Sequence, residues 1–487
     1  MALAGGEPAR ALVVSLLEQG AVAEREIARL AERIGRLEEQ ERSDSRNSSK
    51  PPSSDPPKTR AERRAAAREK AKQRAKAERE GSEPRNAGGQ PGHRGSGRRL
   101  APEDEVDVVE NHYPDACGGC GHEFTKAERT AGRFGRHQIA ELPPIAVVVI
   151  EHRTHKLRCP CCKTSTAAEL PAEPRGSAFG ACLQAAVVTM TARNRVSRRD
   201  MSELSGELFG VALSVGTVDA ICRRAAGALA GPHERLVAAV LEAPAVNLDE
   251  TGWATAVEGR TLWTATTPTA AIFRIAEDRH RDRLDELIGT DFGGIACSDR
   301  WWAYDHIDPE RRQACWEHLK RDWRRHAEGL AEQKAFGDAG LALTRRLFAA
   351  WRAFDQHGDR DRDRFKREMA PIQAQLRKLL EHGARKSQRT RRHRRFANNL
   401  LKIWPALFTF VEVEGVSPTN NAAERSLRGP VIHRKLSHGT RTSEGERFVE
   451  RALSASVTCR LQGRSLFAYL ADLIGAHARS DPLPALT

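Results

Sequence analysis

The chain has 487 residues, of which 39% are apolar and 30% charged, and its formal net charge is +14. That length suits two to four domains, and the apolar share supports a core of ordinary size diluted by long polar stretches. Apolar runs such as Ile145 to Ile150 fall far short of a membrane span, no secretory signal is visible, and the basic excess points to an anionic partner; a cytoplasmic setting is expected.

Residues 10–42 read as a helix. Val13, Ile27 and Ile34 fall at heptad a positions, with Leu16, Ala23, Leu30 and Leu37 at d and Gly20 as a weak a residue. This pattern fits a short coiled coil joining copies of the chain, or a helix packed on its own domain. Residues 43–104 read as a basic, flexible linker. Between residues 50 and 100 there are 15 Lys and Arg against 6 Asp and Glu. Such a stripe suits a phosphate backbone or serves as a solubilising tail.

Residues 105–172 change character. Short β-like runs such as Ala146 to Glu151 sit between two cysteine pairs, Cys117-Gly-Gly-Cys120 and Cys159-Pro-Cys-Cys162. Two residues between thiolates put both sulfurs on one tight turn, and two such knuckles complete a four-sulfur zinc site. The 39 positions from Cys120 to Cys159 leave room for strands between them. Cys161 is a spare that can replace Cys162. With all four positions filled, the zinc is expected to be structural.

Residues 173–242 read as short helices, with Val196 to Ser205 and Val211 to Leu229 of helix-turn-helix size. Strands are then expected at Ala243 to Asp249, Trp253 to Glu258, Thr261 to Thr266, Ala270 to Ile275 and Gly294 to Asp299, with a helix at Arg279 to Ile288. Residues 306–410 turn helical and Arg-rich. They end near a second basic knot, Arg385 to Arg395, which holds seven Lys and Arg and no acid. Asn420 to Leu427 should open a further helix, with Thr419, Asn420 and Asn421 as candidate caps.

Asp249 and Asp299 each end an apolar strand in this reading, and an acid there stands at the sheet rim. Glu424 lies in the first turns of the last helix. Any one of these acids alone reads as an ordinary surface or capping residue. Together they suit phosphoryl transfer on DNA, because three carboxylates can hold two hard cations, Mg2+ or Mn2+, one for the attacking and one for the leaving oxygen.

The chain resembles transposases of the insertion sequence 66 family along nearly its whole length. The resemblance rests on Gly88-Gly-Gln-Pro-Gly-His-Arg-Gly95, the paired knuckles, Arg136-His-Gln-Ile-Ala-Glu-Leu-Pro-Pro144, Asp249-Glu-Thr-Gly-Trp253, Cys315-Trp-Glu-His318 and Thr419-Asn-Asn-Ala-Ala-Glu-Arg425, in that order. It implies an α+β multidomain chain: an N-terminal helix, a zinc-ribbon-like module, a helical DNA-binding region at 173–242 and an RNase H-like catalytic domain at 243–475. Residues 476–487 form a tail. It also implies Asp249, Asp299 and Glu424 as the acidic triad. The first two acids are 50 residues apart, and the 125 residues from Asp299 to Glu424 indicate a helical insertion at about 306–410. The sequence departs from the family pattern at Leu319-Lys-Arg-Asp, after His318.

The implied partners are transposon terminal inverted repeats and target DNA, other copies of the chain, and small accessory proteins. Candidate DNA contacts are His318, Arg385, Lys386, Arg391, Arg392, Arg394, Arg395, Lys435 and His438. For His318 the alternative is a core histidine beside a buried Cys315; for the residues after Glu424 it is a solvated basic loop. Other readings are a catalytically silent DNA-binding relative and an RNase H-like nuclease or resolvase.

Overall fold

The computed structural model describes residues 26, 29, 30, 33, 68, 99–129, 135–143, 145–255, 259–329, 331–355, 360–385, 391–437 and 439–486. The expected N-terminal coiled coil and basic linker fall almost wholly outside them; Glu26, Arg29, Leu30 and Arg33 are helical and exposed. The chain divides into two compact units, Pro56–Ala146 on one hand and Met1–Asp55 with Val147–Thr487 on the other.

In the smaller unit, Gln138 is tied to Ala101 in both directions: Ala101 N–H donates to Gln138 Oε1 at 2.7 Å, and Gln138 Nε2 donates to Ala101 O at 3.0 Å. Arg136 adds a second donor to the same carbonyl. In the larger unit, Lys156–Arg158 (β1) and Ser165–Ala167 (β2) form an antiparallel hairpin. The β-like run expected at Ala146 to Glu151 carries no strand pairing among the described residues, and Val148 and Val149 face solvent. β-branched composition favours a strand only where a neighbour is there to pack against.

Helices follow at Ala172–Gly176 (α1), Ala181–Ala192 (α2), Arg198–Phe209 (α3), Val215–Ala228 (α4) and Ala230–Leu241 (α5). Ser197 caps α3 by accepting the Asp200 N–H, and Ser214 caps α4 by accepting that of Thr217. Gly210, at φ 66°, closes α3 in the left-handed conformation. The buried faces of these helices, including Met201, Val218 and Ile221, share one core with the sheet residues Leu248, Trp263 and Phe273.

That sheet contains Ala245–Ala254 (β3), Gly259–Thr266 (β4), Ala271–Ala276 (β5), Ile295–Ser298 (β6) and Arg312–Ala314 (β7), with helix Arg281–Ile288 (α6) between β5 and β6. The strand order is β5-β4-β3-β6-β7. β3, β4 and β5 run antiparallel in sequence, while β6 pairs parallel to β3 and β7 parallel to β6.

Beyond β7 come Trp316–Ala327 (α7), Ala331–Asp355 (α8), Arg362–Ala384 (α9), Arg391–Lys402 (α10), Thr409–Glu412 (α11), Asn421–Ser437 (α12), Ser443–Leu461 (α13) and Leu466–Arg479 (α14). Helices α7 to α11 build a second core around Trp316, Trp323, Phe365 and Phe410, joined to the sheet through Cys297 and Ala314. Helix α13 returns to the first core, where Ser454 and Thr458 accept the N–H groups of Phe273 and Ala271 on the edge strand β5. Among the described residues no helix is long and apolar enough to cross a membrane.

The second core depends on a close crossing of α7 and α8. A Cβ at Gly340 would lie 2.1 Å from the Trp323 ring, and one at Gly337 would lie 2.1 Å from the Ala327 backbone nitrogen. Trp323 has no room to yield, because its ring packs against Phe336 and Phe396 at 5.1 and 4.8 Å. Gly340→Ala should therefore destabilise the protein by about 1–3 kcal/mol, the usual range for overpacking. An unchanged denaturation midpoint would show that the two helices can separate freely.

Candidate active site

Strand β3 alternates as far as Thr251. Val246, Leu248 and Glu250 are buried, while Asn247, Asp249 and Thr251 occupy the other face. Asp249 is not at a strand end, as the apolar run suggested. It is the fifth of ten residues, because antiparallel pairing with β4 continues to Ala254. What stops earlier is the parallel pairing with β6, whose last pair is Asn247 with Cys297. Two residues further along each strand stand Asp249 and Asp299. The register thus carries the two acids to the same level on neighbouring strands, where β6 has just ended.

Glu424 lies in the first turn of α12. The start of that helix is fixed by Asn420, which is fully buried. The Asn420 side-chain amide donates to the Leu248 carbonyl at 3.2 Å, one residue before Asp249, and its backbone N–H reaches Cys315 Sγ at 3.4 Å. Trp316 N–H donates to Pro418 O at 2.9 Å. Asn420 was expected to cap the helix with its side chain; instead the side chain holds the helix to β3, and the backbone carbonyl accepts the Ala423 and Glu424 N–H groups.

Glu424 faces His318 Nε2 at 3.7 Å and Arg321 at 3.5 Å, both from α7. Burial, and then Arg321, push the His318 pKa down, which favours a neutral imidazole. Of the two other acids near the end of the insertion, Glu412 and Glu414, Glu412 is paired with Lys366 at 2.7 Å.

The Asp249 carboxyl is pushed well above the usual carboxylate range, first by burial, then by the charges of Glu250 and Asp299, with Glu424 adding to them. Its one hydrogen bond here comes from the N–H of Glu250, at 2.9 Å. Asp299 accepts the Trp301 N–H at 2.8 Å. Glu250 is served very differently: Tyr304 Oη donates to it at 2.5 Å, and Arg279 forms an ion pair with it. The sequence reading passed over Glu250, Tyr304, Arg279, Arg321 and the clamping role of Asn420. Only Glu250 had a local signal, since it continues the buried parity of Val246 and Leu248.

Among the described residues no three His, Cys, Asp or Glu side chains stand as close as metal ligation requires. Asp249 senses the charges of Asp299 and Glu424, but the three acids do not close into a ligand shell. Their chemistry suits a hard divalent ion, and the buried Asn420 Oδ1 lacks any partner.

A family model described as "Transposase IS66 family" matches residues 176–447, more than half of the chain and all three acids. The chain belongs to the IS66 transposase family. A second model, "zinc-finger binding domain of transposase IS66", matches residues 114–163, and a family of unknown function matches residues 3–99. No curated protein matches.

The zinc-finger region of this IS66 transposase contains both knuckles, and each folds in the same way. Cys117 N–H donates to His122 O at 2.8 Å and Gly121 N–H to Cys117 O at 2.9 Å; Cys159 N–H donates to Thr164 O at 2.8 Å and Lys163 N–H to Cys159 O at 3.0 Å. The residue after each second cysteine is left-handed, Gly121 at φ 76° and Lys163 at φ 63°. Backbone N–H groups of Gly119 and Cys120 lower the Cys117 thiol, and Thr164 brings Cys162 down to about 7. Both turns therefore favour thiolate, the form that binds metal.

Of the candidate DNA contacts, Lys386 and His438 lie outside the described residues, as does the side chain of Arg391. Arg385, Arg395 and Lys435 are exposed, while Arg392 and Arg394 are half-buried on α10. Arg300, next to Asp299, lies over the Phe396 ring of α10 at 5.1 Å, so the helix bearing the basic knot adjoins the second acid.

The uncompensated Asp249 gives a stability prediction with a definite sign. Its folded pKa is raised, so the folded state holds its proton more tightly, and stability is lost as pH rises from the ordinary carboxylate range toward the raised value. At pH 8, metal-free Asp249→Asn protein should melt higher than wild type, by a few degrees for each ~1 kcal/mol relieved. Mn2+ should raise the melting point of wild type more than that of the variant. A lower melting point for metal-free Asp249→Asn would show that the acid is already compensated.

Proposed function

We propose that this chain is a DNA transposase with an RNase H-like catalytic domain, and that it cuts and joins strands at transposon ends with Asp249, Asp299 and Glu424 as the metal-binding acids. The observation that carries the reading is the β3–β6 register, which sets Asp249 level with Asp299, together with the Asn420 clamp that holds the Glu424 helix to β3. The sheet order supports the fold assignment: three antiparallel strands, then two parallel ones on the side of β3 away from β4.

Bound Mg2+ or Mn2+ would activate the attacking oxygen and relieve charge on the leaving oxygen. The chain's own part is to present one carboxylate on strand β3, one just past the end of β6 and one on helix α12. Arg321 and His318 orient Glu424, and a neutral His318 can accept or donate a hydrogen bond at a phosphate without adding positive charge. Strand cleavage by water breaks the phosphodiester at the transposon end and leaves a 3′-OH; that hydroxyl then attacks a target phosphodiester in the same site and displaces the target's own 3′-oxygen, so no protein nucleophile is needed. The basic knot at Arg385 to Arg395 and Lys435 supply phosphate contacts. The two CxxC pairs and the zinc-finger match support Cys117, Cys120, Cys159 and Cys162 as the residues that would hold a structural zinc.

Changing any one of the three acids to Ala should slow end cleavage and strand joining by at least about 100-fold, the order expected for removing one transition-state stabiliser. End binding, read by gel shift, should change little. Normal strand transfer by Glu424→Ala on pre-cut ends with Mg2+ would rule out Glu424 as the third acid.

The purified protein should carry about one zinc per chain. Elemental analysis of the Cys117→Ser, Cys120→Ser double variant should show that zinc lost, and an undiminished content would remove the knuckles from the site.

A further inference from the structure

Trp302 is 48% exposed, and it is the only one of the eight tryptophans that faces solvent so openly. A large aromatic ring left in water costs free energy, so its setting decides whether it has a use. Trp302 sits three residues after Asp299, in the short 3-10 turn Trp302–Tyr304.

That turn is held rigidly. Tyr304 is fully buried and bonded to Glu250. Trp301 N–H binds Asp299 Oδ1, and the Trp301 indole N–H reaches Arg279 O at 3.4 Å. The Arg279 guanidinium lies over the Trp301 ring at 4.6 Å while pairing with Glu250. The next residue, His280, is exposed and sets its ring edge-on to Trp302 at 5.4 Å. Trp302 is thus an indole presented by a braced turn, with cationic and imidazole neighbours, beside one of the three acids.

Resting on the transposase reading, we propose that Trp302 and His280 form a stacking site for a single unpaired DNA base next to the phosphate held by the acids. A base at an opened DNA end has lost its stacking partner, and an indole face restores those contacts. Trp301, tilted against Trp302 at 5.8 Å, braces one side of the ring, whereas a protein partner would be expected to meet a broader apolar patch than one indole. Stacking on a ring face is indifferent to base identity, so the site would favour an opened end over a particular sequence.

The test is binding to an end duplex whose tip carries two unpaired bases, compared with the same duplex bearing abasic residues there. Wild type should prefer the bases by about tenfold. Trp302→Ala should lose that preference, and Trp302→Phe should keep most of it. Because Trp302 is exposed, thermal melting of both variants should match wild type. A wild type indifferent to the bases, or a Trp302→Ala protein that keeps the preference, would overturn the proposal, as would a Trp302→Ala protein that loses only self-association. Binding is read without cleavage and with no divalent metal. Failure of the wild type to cut any end would count against the transposase mechanism and leave the base preference standing.

Discussion

Carboxylates brought within reach of one another repel, and the architecture of this chain holds three of them against that force. The parallel register of β3 and β6 brings Asp249 and Asp299 level, each two residues beyond the last pair, Asn247 with Cys297. Side-chain rearrangement cannot undo that alignment without breaking the sheet. Glu424 is fixed by a different device, the Asn420 amide on the Leu248 carbonyl. Burying a polar side chain is costly unless it is bonded. Asn420 satisfies its donor there and leaves Oδ1 unmatched, so the clamp has been kept despite an unsatisfied acceptor.

The neighbouring acids Asp249 and Glu250 divide two tasks by strand parity. Glu250 points into the core, where Tyr304 and Arg279 serve its oxygens. Asp249 points the other way, half-buried and without a cationic partner among the described residues. The oxygens of Glu250 are thus compensated, while Asp249 bears its burial and the neighbouring charges without such partners among the described residues. The same contacts brace the turn after Asp299, since Tyr304 and Arg279 both belong to the Trp301–Trp302 surroundings. Loss of Glu250 would therefore loosen that turn as well as the core.

The features legible in the sequence were local ones. An apolar run marked the first half of β3 and the run Thr261 to Thr266 marked β4, the CxxC spacing marked two knuckles that fold alike, and helices were expected in the regions of α3 and α4. What could not be read depends on contacts across long stretches of chain. Asp249 looked terminal because the apolar run stops there, whereas strand length was decided by pairing with residues 259–264. Asn420 looked like a cap because Asn favours that position, yet a carbonyl 172 residues away competes for its amide. The run at Ala146 to Glu151 had the composition of a strand but no neighbour to pair with among the described residues. Helices α2 to α5 share a core with the sheet that no local pattern foretold.

The long segment between Asp299 and Glu424 bears directly on the site. A flexible loop of that length would be tolerable, since closure entropy grows only with the logarithm of length, but it would leave Glu424 poorly positioned. Here the segment folds around its own aromatic core and returns rigidly. Trp316 is the joint: its indole N–H binds Leu407 O at 2.7 Å and its backbone N–H binds Pro418 O, closing both ends of the segment at one residue. Helix α7 starts from that joint, so His318 and Arg321 reach Glu424 at a fixed distance from it. The inserted helices thus supply the cationic side of the third acid's surroundings, while β3 supplies its anchor. A change deep in the second core would reach Glu424 through Trp316 and α7, and Asp299 through Cys297 and the Arg300–Phe396 contact, before it reached Asp249.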